Sequence, residues 1–226
     1  TIIEKAMDPD PTKRYASASE LRNALARYLR GKMDFPRRRV PAGVQIIQES
    51  GLQGLTLSKV AQKQGVSAAA VYRHYDSKEA LLAAIAAQGF DLLRGALDRN
   101  LAEPLVDSRI FFRKCVEAYL DLAVSRPRHY ELMFGGVIPD HTQYPGLHSA
   151  GQSAFQRLID SIQVCQSRGL FRKRKPVIMA FHVWSTMHGF AMLHNSGQNP
   201  LGDSGELRGQ IGLMVQLLRR GLDADS

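Results

Sequence analysis

The stretch from Leu55 to Leu82 constrains this chain more than any other. Its apolar residues keep helical spacing in short pieces, broken by a glycine and then by an Asp-Ser pair. Thr56 stands as the N-cap of a first helix over about Leu57 to Gln64, with Val60 and Ala61 pointing inward. Ala61 is small enough for a second helix to cross closely. Gly65 supplies the left-handed residue that ends the first helix, and Val66 buries in the turn. Ser67 caps a second helix running to Tyr75, whose apolar side is Val71 and Tyr75. Asp76 and Ser77 break it, and Ser77 caps a third. Two short helices crossed about a tight turn make a helix-turn-helix, whose second helix enters the DNA major groove.

Charge agrees with an anionic partner. The chain has 226 residues, a net charge of +9 and a pI near 9.8. Residues 36–100, which contain the helix-turn-helix, carry nine Lys or Arg against five Asp or Glu, the densest excess in the sequence. A hydrophobic content of 44% excludes a disordered polymer. The two cysteines, Cys115 and Cys165, are too few for a zinc ribbon or a disulfide framework, and read as buried, reduced thiols of a cytoplasmic protein. No signal-peptide pattern is visible. Val177 to Gly202 holds no Asp, Glu, Lys or Arg, but its three histidines, Asn195 and Gln198 favour a buried helix over a membrane span.

The remaining segments read as helices, apart from a loop rich in Gly and Pro over Gly135 to Gly146. Residues 1–31 contain an amphipathic helix with Leu21, Ala24, Leu25, Tyr28 and Leu29 on one side, stopped by Gly31. The basic stretch Lys32 to Pro41 is a linker, followed by a helix from about Pro41 to Ser50 that Gly51 ends. Further helices are expected over about Lys78–Asn100, Arg109–Ser125, Pro127–Phe134, Leu147–Arg168, Pro176–Gly197 and Glu206–Arg220. No strand pattern or internal repeat is present.

Resemblances to two families follow from the residues. The series T-x-x-x-V-A-x-x-x-G-V-S-x-x-x-V-Y-x-H-Y-x-x-K-E-x-L resembles the DNA-binding domain of the TetR family of transcriptional regulators. The later R-P-R-H-Y-E-L-M-F and V-W-S-T-M-H-G-F-A-M-L resemble a C-terminal regulatory domain of the same family, through Trp184, His188 and Gly189. Residues 1–31, with K-A-x-x-x-D-P-x-x-R-Y-x-S-A-x-E-L, resemble the tail of the C-lobe of bacterial Hanks-type serine/threonine kinases. No glycine-rich loop, catalytic loop or metal-binding Asp motif accompanies that tail, so kinase activity is not expected. The segment is either a fusion or misplaced start, or a plain helical extension.

Candidate DNA contacts are drawn from the helix-turn-helix. Ser67, Ala68, Ala69 and Ala70 stand at the groove-facing start of the second helix. Alanine touches a thymine methyl but hydrogen-bonds no base edge, so direct readout falls on Tyr72, Arg73 and His74. By resemblance, Tyr72, His74 and Lys78 match positions that commonly contact DNA. Thr56 and Ser58 are placed to meet phosphate. Arg37, Arg38 and Arg39 form either a minor-groove arm or a solvated linker. The histidines make no ligand set, no nucleophile elbow frames a serine, and Glu117, Asp121 and Asp160 read as unpaired. No enzyme, no metal and no cofactor are expected.

The expected architecture is all-α: an N-terminal helix-turn-helix three-helix DNA-binding domain (36–84) after a helical extension (1–35), then an all-helical ligand-binding and dimerisation domain (85–226). The resemblance implies a ligand-responsive repressor that binds a palindromic operator in double-stranded DNA as a homodimer, with no membrane partner. It also implies a small-molecule effector pocket drawn from Phe112, Tyr119, Met133, Phe134, Phe155, Trp184, Met187 and His188. The alternative is a kinase-associated interaction module that uses the helix-turn-helix as scaffold.

Overall fold

The computed structural model describes Asp10 and residues 40–102, 107–200 and 207–223. The expectations for residues 1–35 and for Arg37, Arg38 and Arg39 therefore fall, Asp10 apart, outside the described residues. The chain divides into two compact units, Thr1–Ser77 and Lys78–Ser226.

In the first unit, helix α1 covers residues 40–54. It runs past Gly51, which takes φ 67° without ending the helical pattern. Helices α2 (Leu57–Lys63) and α3 (Ala68–Tyr72) follow. The Thr56 hydroxyl accepts from the Lys59 N–H at 3.2 Å and caps α2. At its other end the Val66 N–H donates to the Ala61 carbonyl and the Gly65 N–H to the Gln62 carbonyl, with Gly65 at φ 63°. That pair of bonds is a Schellman motif, and it satisfies carbonyls that the end of α2 would otherwise leave open. The Ser67 hydroxyl accepts from the Ala70 N–H at 3.2 Å and starts α3. Ile47, Leu55, Val60 and Val71 form the centre of this small core.

In the second unit, α4 (Lys78–Ala102) is the long central helix. It packs against α5 (Ser108–Ser125), α6 (Pro127–Phe134) and α7 (Pro145–Ser167). Helix α8 (Pro176–Asn195) lies on α5 and α7, and α9 (Leu207–Leu222) on α5. Asp107 caps α5, accepting from the Arg109 N–H at 2.7 Å, and proline opens α6, α7 and α8. Within the stretch read as a loop, a 3-10 turn forms over His141–Gln143, and α7 begins at Pro145.

By length and composition α4 is apolar enough to cross a membrane. Its apolar side packs on the three helices named, and its other side pairs Arg94 with Asp91 and Asp98. Gly89 of α4 gives close passage to α6: a Cβ there would stand 2.4 Å from the Met133 sulfur. Of the carboxylates read as unpaired, Glu117 pairs with Arg113 and Asp160 with Arg157, both at 2.7 Å. The two cysteines are free and buried, and burial pushes Cys115 up to about 11 and Cys165 to about 12.

Candidate nucleic-acid interface and effector chamber

On the helix-turn-helix, burial sorts the candidate contacts. Ala68, Ala69, Tyr72 and Arg73 are exposed, Tyr72 by 51%. A tyrosine ring left that open at the end of a short helix, beside a buried Val71, has its packing surface free for something else. Ala70 does not face a groove, because it is buried against the small core at 8% exposure. The second helix is also shorter than the spacing suggested. It ends at Tyr72, with Arg73 as its C-cap, so His74 and Tyr75 lie past the helix. Tyr75 is buried and His74 is half-buried. Val66, expected in the core, is half-buried. Ser67 and Thr56 both spend a lone pair on capping, while Ser58 is exposed. Lys63 pairs with Glu49 at 2.7 Å, which leaves the exposed Arg73 as the cation closest to the recognition helix. Lys78 opens α4 and is half-buried.

The second unit holds a partly open cavity of about 280 Å³ between α4, α5, α6, α7 and α8. Of the expected pocket residues, Tyr119, Phe134, Phe155, Trp184 and Met187 line it. Phe112 does not: it packs edge-on against Phe171 with ring centres 4.9 Å apart, in the core. Met133 is buried against Gly89 instead. His188 stands behind the wall rather than in it. Its Nδ1 lies 2.7 Å from the Tyr130 hydroxyl and 3.2 Å from that of Tyr119, and the Trp184 indole N–H donates to the Tyr119 hydroxyl at 3.1 Å. The two tyrosine hydroxyls are 2.9 Å apart.

The three N–H and O–H protons can satisfy three of these four contacts at once. Trp184 donates to Tyr119, Tyr119 to Tyr130, and Tyr130 to an unprotonated His188 Nδ1. Burial favours this arrangement, since it lowers the pKa of His188 and so keeps the ring neutral, and it raises Tyr119 to about 12. The sequence reading missed Phe90, Leu93 and Leu97 of α4, Cys115 of α5, and Gly151, Gln152, Ala154 and Leu158 of α7. The α4 residues carried a signal, an apolar stripe at helical spacing, but a stripe does not tell core from cavity wall.

Two family models match the chain. Residues 41–85 match the model described as bacterial regulatory proteins, tetR family. Residues 112–208 match the tetracyclin repressor-like C-terminal domain, and the two matches together take in more than half of the chain. The chain belongs to the TetR family.

This TetR-family chain is 30% identical over 109 residues to the class D tetracycline repressor protein of Escherichia coli, covering 46% of each. It is 27% identical over 92 residues to an uncharacterized HTH-type transcriptional regulator of Bacillus subtilis, YobS, covering 41% of this chain and 47% of that one. The chain thus spans about half the length of the curated relatives it matches. A solved Rhodococcus protein of unknown function superposes with a TM-score of 0.72 at 25% identity, over 84% of this chain and 96% of that one. These matches give no support to the kinase-like resemblance of residues 1–31, nor to a kinase-associated scaffold.

Proposed function

We propose that the protein is a ligand-responsive transcriptional repressor that binds a palindromic operator as a homodimer. The observation that carries this reading is the capped α2–turn–α3 unit with Tyr72 and Arg73 open to solvent at the end of α3. A helix so placed reads one half-site, and two-fold symmetry supplies the other. Support for the dimer comes from α8 and α9. Val177, Ile178, Phe181 and Leu193 of α8 and Leu213 and Leu217 of α9 are each between 48% and 58% exposed, an apolar surface unusual on a soluble monomer.

Support for ligand control comes from the chamber. Phe90, Leu93 and Leu97 line it from α4, the helix that starts directly after Ser77. A ligand that binds one position of α4 better than another biases the DNA-reading end by that difference. The DNA contacts proposed are Tyr72 and Arg73 for bases, with Ala68 and Ala69 against thymine methyls and Ser58 at phosphate.

The test is fluorescence anisotropy with labelled operator and single-base variants of it. Arg73→Ala should lower discrimination at one operator position by roughly 1–3 kcal/mol, and Tyr72→Ala should weaken all sequences alike. Affinity for operator and variants unchanged in both mutants would remove α3 as the reading helix.

A further inference from the structure

The lining of the chamber defines the chemical class of its ligand, an inference that rests on the effector reading above. Among the described residues, no Lys, Arg, Asp or Glu lines it. On α4 and α7, outside the lining, charged groups neutralise one another: Arg157 bridges Asp98 and Asp160, and Arg94 pairs with Asp98. The polar groups in the wall are spent as well. The Trp184 N–H donates to the Tyr119 hydroxyl, which in turn contacts the Tyr130 hydroxyl and His188 Nδ1 behind it. The Cys115 thiol donates to the Ser161 hydroxyl at 3.6 Å. Gln152, at the exposed side of α7, is the wall residue with an amide to offer. What remains is aromatic and aliphatic surface around the space of roughly nine liquid waters.

We propose that this chamber takes a small, uncharged, lipophilic molecule with at most one polar group, directed at Gln152, and turns away carboxylates, phosphates and ammonium ions. A charged group entering it would lose its hydration and meet no counter-ion. Apart from the Gln152 amide, the wall's polar groups bond to protein partners and offer it no donor either. An apolar cavity of this kind holds water weakly and gains most from a ligand that fills it.

The chain has a single tryptophan, Trp184, and it lines the chamber, so its fluorescence reports occupancy directly. The full chain is titrated at neutral pH with 4-tert-butylcyclohexanol, 4-tert-butylcyclohexanecarboxylate and 4-tert-butylcyclohexylammonium, which share one hydrocarbon body, and with p-cymene as a second neutral probe. The expected result is saturable binding of the neutral probes, at least about tenfold tighter than either ion. A carboxylate or ammonium that binds as tightly as the alcohol, or no saturable response to either neutral probe, overturns the proposal.

Gly151→Leu places the assignment in space. A Cβ at Gly151 meets the Phe90 ring at 3.7 Å, an ordinary contact, and the rest of the leucine occupies the chamber. The variant should keep its helical circular dichroism and lose the neutral-probe response; an unchanged response would put the binding elsewhere and overturn the siting. Operator binding is measured separately without probe. Probes that fail beside intact operator binding refute this inference alone. Lost operator binding beside an intact probe response refutes the regulator reading and leaves the chamber's chemistry standing.

Discussion

The uncharged helix α8 makes opposite predictions for two neighbouring residues. Ala180 is fully buried in its own domain, whereas Phe181 is 52% exposed. A phenylalanine side chain buries roughly 150–250 Å², so roughly 100 Å² of the Phe181 ring is open for a partner to cover. At ~25 cal/mol per Å², that is ~2.5 kcal/mol per ring. A two-fold axis brings two such rings, and removing both should weaken the dimer by about 5 kcal/mol, or three to four orders of magnitude in Kd. Phe181→Glu should therefore run as a folded monomer in sedimentation velocity, with its helical circular dichroism retained.

Ala180→Glu should behave differently. It buries a charge without a partner, a cost of several kcal/mol, against a total stability of roughly 5–15 kcal/mol. That chain should misfold or aggregate rather than dissociate cleanly. A Phe181→Glu chain that stays dimeric at micromolar concentration, or a wild-type chain that is monomeric there, would refute the dimer face and with it the palindrome.

Two further predictions concern the second unit. Gly89→Ala should lower the melting temperature, because its Cβ would sit 2.4 Å from the sulfur of the buried Met133. Overpacking costs about 1–3 kcal/mol, more than the roughly 1 kcal/mol that alanine gains in a helix; an unchanged or higher melting temperature would contradict the close passage. His129, whose Nε2 meets Gln88 Oε1 at 3.0 Å, is held down at about 4 by burial first and by the Arg126 charge second. The unfolded chain takes up this proton below about 6.5 and the folded chain only below about 4, so stability should fall as pH drops through that window, by on the order of 3 kcal/mol from this group. His129→Gln should flatten that part of the pH profile in urea titrations, and an identical slope in both proteins would show that His129 is not held neutral.

The features legible in the sequence are those whose cause is local. Thr56 and Ser67 cap because a hydroxyl at that position reaches an N–H three residues on, and Gly65 ends α2 because a left-handed residue is needed there. Pro127 and Pro176 mark helix starts for the same kind of reason. What the sequence left open depends on contacts between helices. Ala70 and Ala69 are alike in sequence, and only the crossing of α2 over α3 buries one and leaves the other exposed. The chamber is a packing defect among five helices, so Phe90 lines it while Phe112, equally aromatic and equally amphipathic in spacing, fills the core. His188 reads as a pocket residue from its motif, yet its Nδ1 lies against the Tyr130 hydroxyl behind the wall.

The central claim is that this chain reads duplex DNA through α3, and selection from sheared genomic DNA tests it most directly. The purified protein is mixed with the fragments, bound DNA is sequenced, and the winning site is titrated over a salt series beside the Tyr72→Ala, Arg73→Ala double variant. The account predicts an inverted repeat with half-sites about one helical turn apart, roughly 34–36 Å, bound at least about 10³-fold more tightly than random DNA and losing affinity steeply with salt. Recovery of no common sequence, or a double variant that binds the recovered site as well as the wild type, would contradict it.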